Sequence, residues 1–407
     1  MAKIYVHPDP SRRLVALLQR HLPHSGPVLR VIQSFGILPR SAEACVLATL
    51  PPDAESDTEA ENGGRGASSV PEDPWMVAYV DVFRYPETQI WIYSSLEADG
   101  MNETVGDVIK TTLTADEETQ RQACEQLRSL LAYVRTKLVP SLLSTPGATE
   151  KNIVRSQTNG IKKVPVVPPT GLLMGTVNDG LSVLFNQLGY RDEHDPFSSG
   201  HKKPFFHVNR VDLCVKFMFD RSHYDSGDNK PTPGYRFHDR KGRHGIQDHQ
   251  FSLVLSRTHI QRTRASFPAS VALYCSTAED AAAKPPGETS SGDKEGANSE
   301  EMPVGWAFFT YDGSMIVLHV EPEYRGRGLA SLLSREIMRR GMGHDAIHAL
   351  QLEGDVEGRE RGWVFADVSI DNTASQRVMQ KLGGRPGWAM RWIGGEFTGV
   401  SPVIDGT

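Results

Sequence analysis

The sequence predicts a protein of mixed α+β/α/β class, built in two halves. Three observations carry this. Strand and helix patterns alternate from about residue 250 to residue 382. The first 220 residues hold a hairpin pattern and several helical ones. Between them lies a polar stretch, Arg221–Pro233, that reads as a linker. A chain of 407 residues suits two domains at about 100–200 residues each. With 39% hydrophobic and 23% charged residues it has the make-up of a soluble globular protein.

In the first half, Leu14–His21 reads as a helix. Met76–Phe83 and Gln89–Ser94 are rich in β-branched and aromatic residues. They flank the turn Arg84–Thr88, which contains Pro86, and so read as a hairpin. Ala115–Leu138 is a charged helix whose Leu127, Leu130, Leu131 and Val134 recur at helical spacing. Asn178–Leu188 is a shorter helix and Asp212–Phe219 a strand.

In the second half, Gln250–Arg264 reads as a helix and Ser270–Cys275, Val304–Phe309 and Met315–Val320 as strands, with a turn at Asp312-Gly313. Leu329–Arg340 is an amphipathic helix presenting Leu329, Leu332, Leu333 and Ile337 on one face. Trp363–Val368 is a strand, and Thr373–Leu382 is a helix stopped by Gly383-Gly384. Residues 51–74 and 278–303 are polar, acidic and nearly free of aromatics, so they are expected to be disordered inserts. The expected domains are 1–222 and 233–400.

Composition narrows the function classes. A net charge of −6 gives no electrostatic reason to expect a nucleic acid or an anionic membrane as partner. No apolar run reaches the ~18–20 residues that span a bilayer. The N-terminus has no secretory h-region and the C-terminus no lipidation signal. Cys45, Cys124, Cys214 and Cys275 form no Cys-x-x-Cys pair, so reduced thiols and a cytoplasmic location are expected, with no metal site. His238, His244 and His249 lie among Arg236, Arg240, Lys241 and Arg243 without ligand spacing, and this basic cluster reads as a solvated face.

The chemistry concentrates at Met315–Arg335, where a strand enters a Gly-containing loop that opens a helix. A helix N-terminus presents unpaired N–H groups with partial positive charge, and a diphosphate is a natural occupant. Gly326 and Gly328 allow close backbone approach, and Arg325 and Arg327 add cationic donors. A solvated turn without ligand is the plain alternative. A dinucleotide loop would set its first Gly directly after the strand and a third inside the helix; here Glu321–Arg325 intervene and Ser331 holds the third position. A next strand at Ile347–Leu352, with Glu353 or Asp355 as ribose acid, would favour that rival. An NTPase loop lacks its Gly-Lys-Ser/Thr.

The run Val320-x-Pro322-x-Tyr324-Arg325-Gly326-Arg327-Gly328-Leu329-Ala330 resembles the acyl-CoA motif of the GNAT superfamily of N-acyltransferases. Asn372, followed by Lys381-Leu382-Gly383, resembles that family's second element. The resemblance covers about Gly234–Trp392 and looks closest to the glycine N-acyltransferase-like branch, in which a degenerate N-terminal half precedes a catalytic C-terminal one. It implies a GNAT fold with a mixed central sheet flanked by helices. It also implies that the backbone of Leu318, His319 and Val320 pairs with the pantetheine arm beside a strand splayed by a bulge, and that the Val320 N–H faces the thioester carbonyl. Arg325, Gly326, Arg327, Gly328, Leu329 and Ala330 would then hold the pyrophosphate, and Asn372 would bind the arm.

Attack of an amine on a thioester needs a base. Asp367 stands where many members carry a catalytic Glu, and His319 and Glu321 are the next candidates. Two departures stand out: the family's general-acid Tyr is Met379, which donates no proton, and its final aromatic is Gly384. Thr258 and Arg262 fall where the substrate-side helices lie. The implied activity is transfer of acetyl from acetyl-CoA to a small-molecule amine. Glycine-type transfer of larger acyl groups and a non-catalytic acyl-CoA-binding protein are the alternatives.

Overall fold

The structure is a computed structural model, which describes residues 1–7, 12–34, 40–52, 71, 74–84, 87–105, 108–146, 171–188, 191–192, 206–224, 229–258, 269–276, 300–342 and 362–400. The first half runs β1 (Tyr5–His7), α1 (Arg12–Arg20), α2 (Gly26–Gln33), β2 (Cys45–Ala48), β3 (Met76–Val80) and β4 (Ile90–Ser94). A hairpin follows, β5 (Met101–Val105) with β6 (Val108–Thr112), then α3 (Glu117–Tyr133), α4 (Val139–Ser144), β7 (Gly171–Asn178), α5 (Asp179–Gln187), the short β8 (Arg191–Asp192) and β9 (Phe206–Phe219). The second half repeats that order in shorter form: β10 (Tyr235–Arg236), α6 (Phe251–Ser256), β11 (Ala269–Cys275), β12 (Gly305–Phe309), β13 (Met315–Val320), α7 (Leu329–Met342), β14 (Val364–Ser369), α8 (Thr373–Lys381) and β15 (Arg385–Phe397). This is the GNAT-like fold in two halves.

The halves are joined by an exchange of strands. Ending its own half, β9 would pair with β7; instead it lies against β14 of the second half, with Asp367 opposite Lys216. In return β15 lies against β7, from Met390 opposite Asn178 to Glu396 opposite Gly171. The two exchanged strands also pair with each other, from Arg385 opposite Met218 to Phe397 opposite Phe206. The path β1-β2-β3-β4-β7-β15-β9-β14 is antiparallel except where β4 meets β7. A second sheet, β10-β11-β12-β13, continues it through one parallel bridge, Ser314 to Phe365.

Alternation of side chains across the strands gives the sheet two apolar faces. One buries Leu127, Leu131 and Phe185 under α3 and α5, then Leu329, Leu333 and Ile337 under α7. The other carries Trp91 and Tyr93 under α1 and α2, Phe365 and Trp388 in the middle, and Trp306 and Phe308 beside Val254 of α6. On that second face the first half reaches over the second: His24 stacks on Trp388 at 4.7 Å. The Phe365 ring sits so close to Gly26 that a Cβ there would lie 2.3 Å from Cζ.

Several expectations shift. The helix expected at Gln250–Arg264 is a 3₁₀ turn, Asp248–Gln250, leading into the six-residue α6, and residues 259–264 lie outside the described ones. The strand expected at Asp212–Phe219 begins six residues earlier, at Phe206. The strands β2, β7 and β15 and the β5–β6 hairpin were not anticipated. Most of both inserts, and the rival strand at Ile347–Leu352, lie outside the described residues. The end of the second insert is described, and it folds back: Glu301 accepts from Arg236 at 2.5 and 3.0 Å, and Glu300 pairs with Lys241 and Arg243. The basic cluster is thus partly neutralised by the chain itself, where the sequence suggested a solvated face. Cys214 and Cys275 are buried, while Cys45 and Cys124 are half-buried, and no disulfide joins any of the four.

Candidate active site between β13 and β14

The site begins with a backbone irregularity. Trp306 faces His319 and Phe308 faces Ile316, so Ala307 alone opposes both Val317 and Leu318. Val317 takes the extra residue of this bulge in the left-handed region, at φ 51°, a costly conformation for a β-branched residue. The bulge bends β13 away from its neighbour. After the bridge at Ser314–Phe365, where Phe365 N donates to Gly313 O at 3.0 Å, no ladder joins β13 to β14 among the described residues. The two strands bound a wedge that is closed at this bridge and open at Val320.

Pairing on the other side fixes which groups line the wedge. Glu321 N donates to Val304 O at 2.9 Å, which makes that a hydrogen-bonded pair. Antiparallel ladders alternate, so the next pair, Gly305 with Val320, turns its N–H and C=O outward. The Val320 N–H therefore faces the wedge, and its carbonyl accepts from Arg325 Nε at 2.9 Å.

At the open end stands the loop into α7. Gly326 and Gly328 hold φ 78° and 76°, and a Cβ on either would meet nothing within 4 Å. They are there for backbone conformation and leave an open approach to the helix N-terminus. Leu329 is buried under the sheet and Ala330 packs beside that core, so these two offer backbone groups rather than side chains. Arg327 bends back, donating to Tyr235 Oη at 2.9 Å and lying over the Tyr324 ring. Its side chain braces the loop, whereas the sequence suggested a second cationic donor to the diphosphate. Asn372 caps α8, its Oδ1 accepting from Ser375 N at 3.0 Å.

The three candidate catalytic residues share one sheet face, opposite α7. His319 stacks on Trp306 at 4.6 Å and 22°. Its buried Nε2 is 3.5 Å from Glu321, too far for a hydrogen bond, and has no hydrogen-bond partner among the described residues. Burial pushes the imidazole below its ordinary 6.5, although Glu321 opposes the shift, so the ring is neutral near pH 7. Glu321 is pinned by Arg257 Nε at 3.1 Å. Asp367 stands on the opposite wall, two residues past the bridge. Its Oδ1 accepts from Lys216 Nζ at 2.5 Å, with both side chains buried. A base needs a lone pair facing the incoming proton, and this oxygen is already taken by an ammonium. That neighbour is not what the sequence suggested for Asp367.

Lys216, Trp306 and Arg257 were missed at the level of sequence. A signal for Lys216 was present: one charged residue inside the apolar run Cys214–Phe219. The two departures also find an explanation. Met379 is buried in the core beneath α8. A Cβ on Gly384 would lie 2.6 Å from Phe219 Cζ, so a ring from the exchanged strand fills the space that a side chain at 384 would enter. Thr258 follows α6, its N–H reaching Leu255 O at 3.4 Å, and Arg262 lies outside the described residues.

The first half has no equivalent cradle among the described residues. Its β4 pairs with β3 without a bulge and with β7 at Ile90 and Trp91. After it come a 3₁₀ turn, Ser95–Glu97, closed by a capping box, and the β5–β6 hairpin.

No curated protein matches the chain. Among solved structures, a Drosophila protein is similar at 11% identity over 98% of this chain and 99% of its own, with a TM-score of 0.48. A GCN5-related N-acetyltransferase from Sphaerobacter thermophilus is similar at 12% over 97% and 94%, with a TM-score of 0.39. A tandem GNAT protein from the clavulanic acid biosynthesis pathway is similar at 11% over 97% of each chain, with a TM-score of 0.34. Residues 1–217, more than half of the chain, match the family model for the acyl-CoA N-acyltransferase verG N-terminal domain. No helix among the described residues is long and apolar enough to cross a membrane. By that match, the chain belongs to the family described as acyl-CoA N-acyltransferase verG N-terminal domain.

Proposed function

We propose that the protein transfers an acetyl group from acetyl-CoA to an amine of a small molecule. The observation that carries this is the outward-facing Val320 N–H in a wedge whose open end meets the Gly326–Gly328 loop. A diphosphate on that loop would send the pantetheine arm into the wedge as an added strand, with its acyl end toward the Ser314–Phe365 bridge. An outward N–H there meets the thioester carbonyl, where charge builds in the transition state.

The amine reaches the thioester from the face that carries His319, Glu321 and Asp367, with Thr258 assigned to the acceptor side. His319 takes the proton: its ring is neutral and its Nε2 has no other partner among the described residues. Glu321, held by Arg257, steadies the imidazolium that forms. Nitrogen bonds to the carbonyl carbon as the carbon–sulfur bond breaks. The thiolate leaves with its charge, since Met379 offers no proton and a thiol of ordinary acidity tolerates this. Asp367, paired with Lys216, lines the far wall on the acceptor side.

The test is incubation of the protein with acetyl-CoA and a panel of small amines, following free thiol. Release that depends on one class of amine is expected, together with a coenzyme A-dependent rise in melting temperature. A melting temperature unmoved by coenzyme A or acetyl-CoA would overturn the proposal.

A further inference from the structure

The exchanged strand carries a charge into the site that the C-terminal half does not itself encode. Lys216 belongs to β9, the last strand of the first half, yet its ammonium lies against Asp367 on the wall of the wedge in the second half. Its side chain has no exposure and also lies 5.3 Å from the Phe365 ring. The order across the sheet is wedge, then β14 with Asp367, then β9 with Lys216. Lys216 is therefore rooted on the strand behind β14 as seen from the wedge, and its ammonium reaches the Asp367 carboxylate from there.

A buried ion pair of this kind is a poor device for stability, because apolar residues of similar size often do as well. A carboxylate beside a reacting centre has a different need. Without a partner it can rotate away from the wedge. Resting on the identity of that wedge as the acyl-transfer site, we infer that Lys216 is a positioning residue: it holds Asp367 in place and aimed at the acceptor. The first half, which has no cradle of its own among the described residues, would then complete the acceptor side of the second. The wall around the pair agrees, since His24 and Gly26 of the first half pack on Trp388 and Phe365 beside it.

Three variants of the full chain test this: Lys216→Arg, Lys216→Met, and the exchange Lys216→Asp with Asp367→Lys. Each is assayed for melting temperature, for acetyl-CoA affinity by calorimetry, and for kcat and KM on the amine that the native protein acetylates. Lys216→Arg is expected to keep turnover within severalfold. Lys216→Met is expected to raise KM for the amine about tenfold or more, with acetyl-CoA affinity within twofold of native. The exchange keeps an ion pair but turns its ammonium toward the wedge. It should fold and bind acetyl-CoA, and lose most of its transfer. An exchange variant that turns over at the native rate would show the pair to be structural only and overturn the inference, and this arm stands even if Lys216→Met does not fold. A native protein that binds no acetyl-CoA, or acetylates no amine, removes the proposed function as well, a result distinct from native turnover that survives the exchange.

Discussion

Arg325 donates through Nε to the carbonyl of Val320 at 2.9 Å, tying the loop that opens α7 to the strand residue whose N–H faces the wedge. The bond sets the distance between the diphosphate cradle and the pairing edge. Replacing Arg325 with Ala should weaken acetyl-CoA binding by about tenfold, the scale of one lost charge-assisted hydrogen bond. Calorimetric titration checks this, and the melting temperature without ligand should shift little, because the side chain is partly exposed.

Val317 gives an inverted order of substitutions. At φ 51° a β-branched residue is strained by about 1–3 kcal/mol, and glycine is not. Val317→Gly should therefore melt above Val317→Ala, the reverse of what is expected inside an ordinary strand. A Val317→Ala protein that melts higher than the glycine variant would mean the bulge is not held in solution.

The pH dependence follows from His319. Its folded pKa lies below 6.5, so as pH falls below that value the unfolded chain takes up a proton before the folded one does. The contribution of the neutral ring to stability is full above pH 6.5 and is lost as pH drops through the folded value. Transfer should follow the same direction, declining as pH falls through the folded value. His319→Gln should cost about 10²–10⁴-fold in kcat, the usual scale for a lost general base, and remove that acid limb. Stopped-time assays across pH 5–8 read both effects.

Gly384 should not accept even a methyl group. A Cβ there would lie 2.6 Å from Phe219 Cζ and 3.0 Å from the carbonyl of Met379. Gly384→Ala is expected to destabilise the protein by about 1–3 kcal/mol through overpacking, measured by denaturant titration.

Separating the halves should fail. A fragment of residues 233–400 would present β14 and β15 without β9, and one of residues 1–222 would present β7 without β15. Each alone is expected to lack a cooperative melting transition, and mixing them should restore one. Two fragments that melt cooperatively by themselves would count against the exchange.

Much of the second half was legible because its signals are local. The loop Arg325–Ala330 announces itself through glycines and arginines beside a helix start, and Asn372 is a capping residue by type as well as by position. The strands β11 to β13 carry dense runs of apolar residues. What stayed hidden depends on distant partners. The β15 sequence RPGWAMRWIGGEF carries three glycines and two arginines, and only its place between β7 and β9 makes it a strand. In the same way, nothing near Asp367 in sequence names Lys216, which lies 151 residues earlier.

The exchange of β9 and β15 also bears on how the protein is made. A chain leaving the ribosome presents β9 long before β14 and β15 exist, so for most of synthesis β7 has an open edge and β9 has no sheet to join. The last strand to appear must then enter the middle of the sheet, between two strands already made. Contacts this remote in sequence fold slowly and leave apolar edges exposed to neighbouring chains. Yield from rapid expression should therefore be limited by aggregation of nascent chains, and slower synthesis at low temperature or added chaperone should recover it.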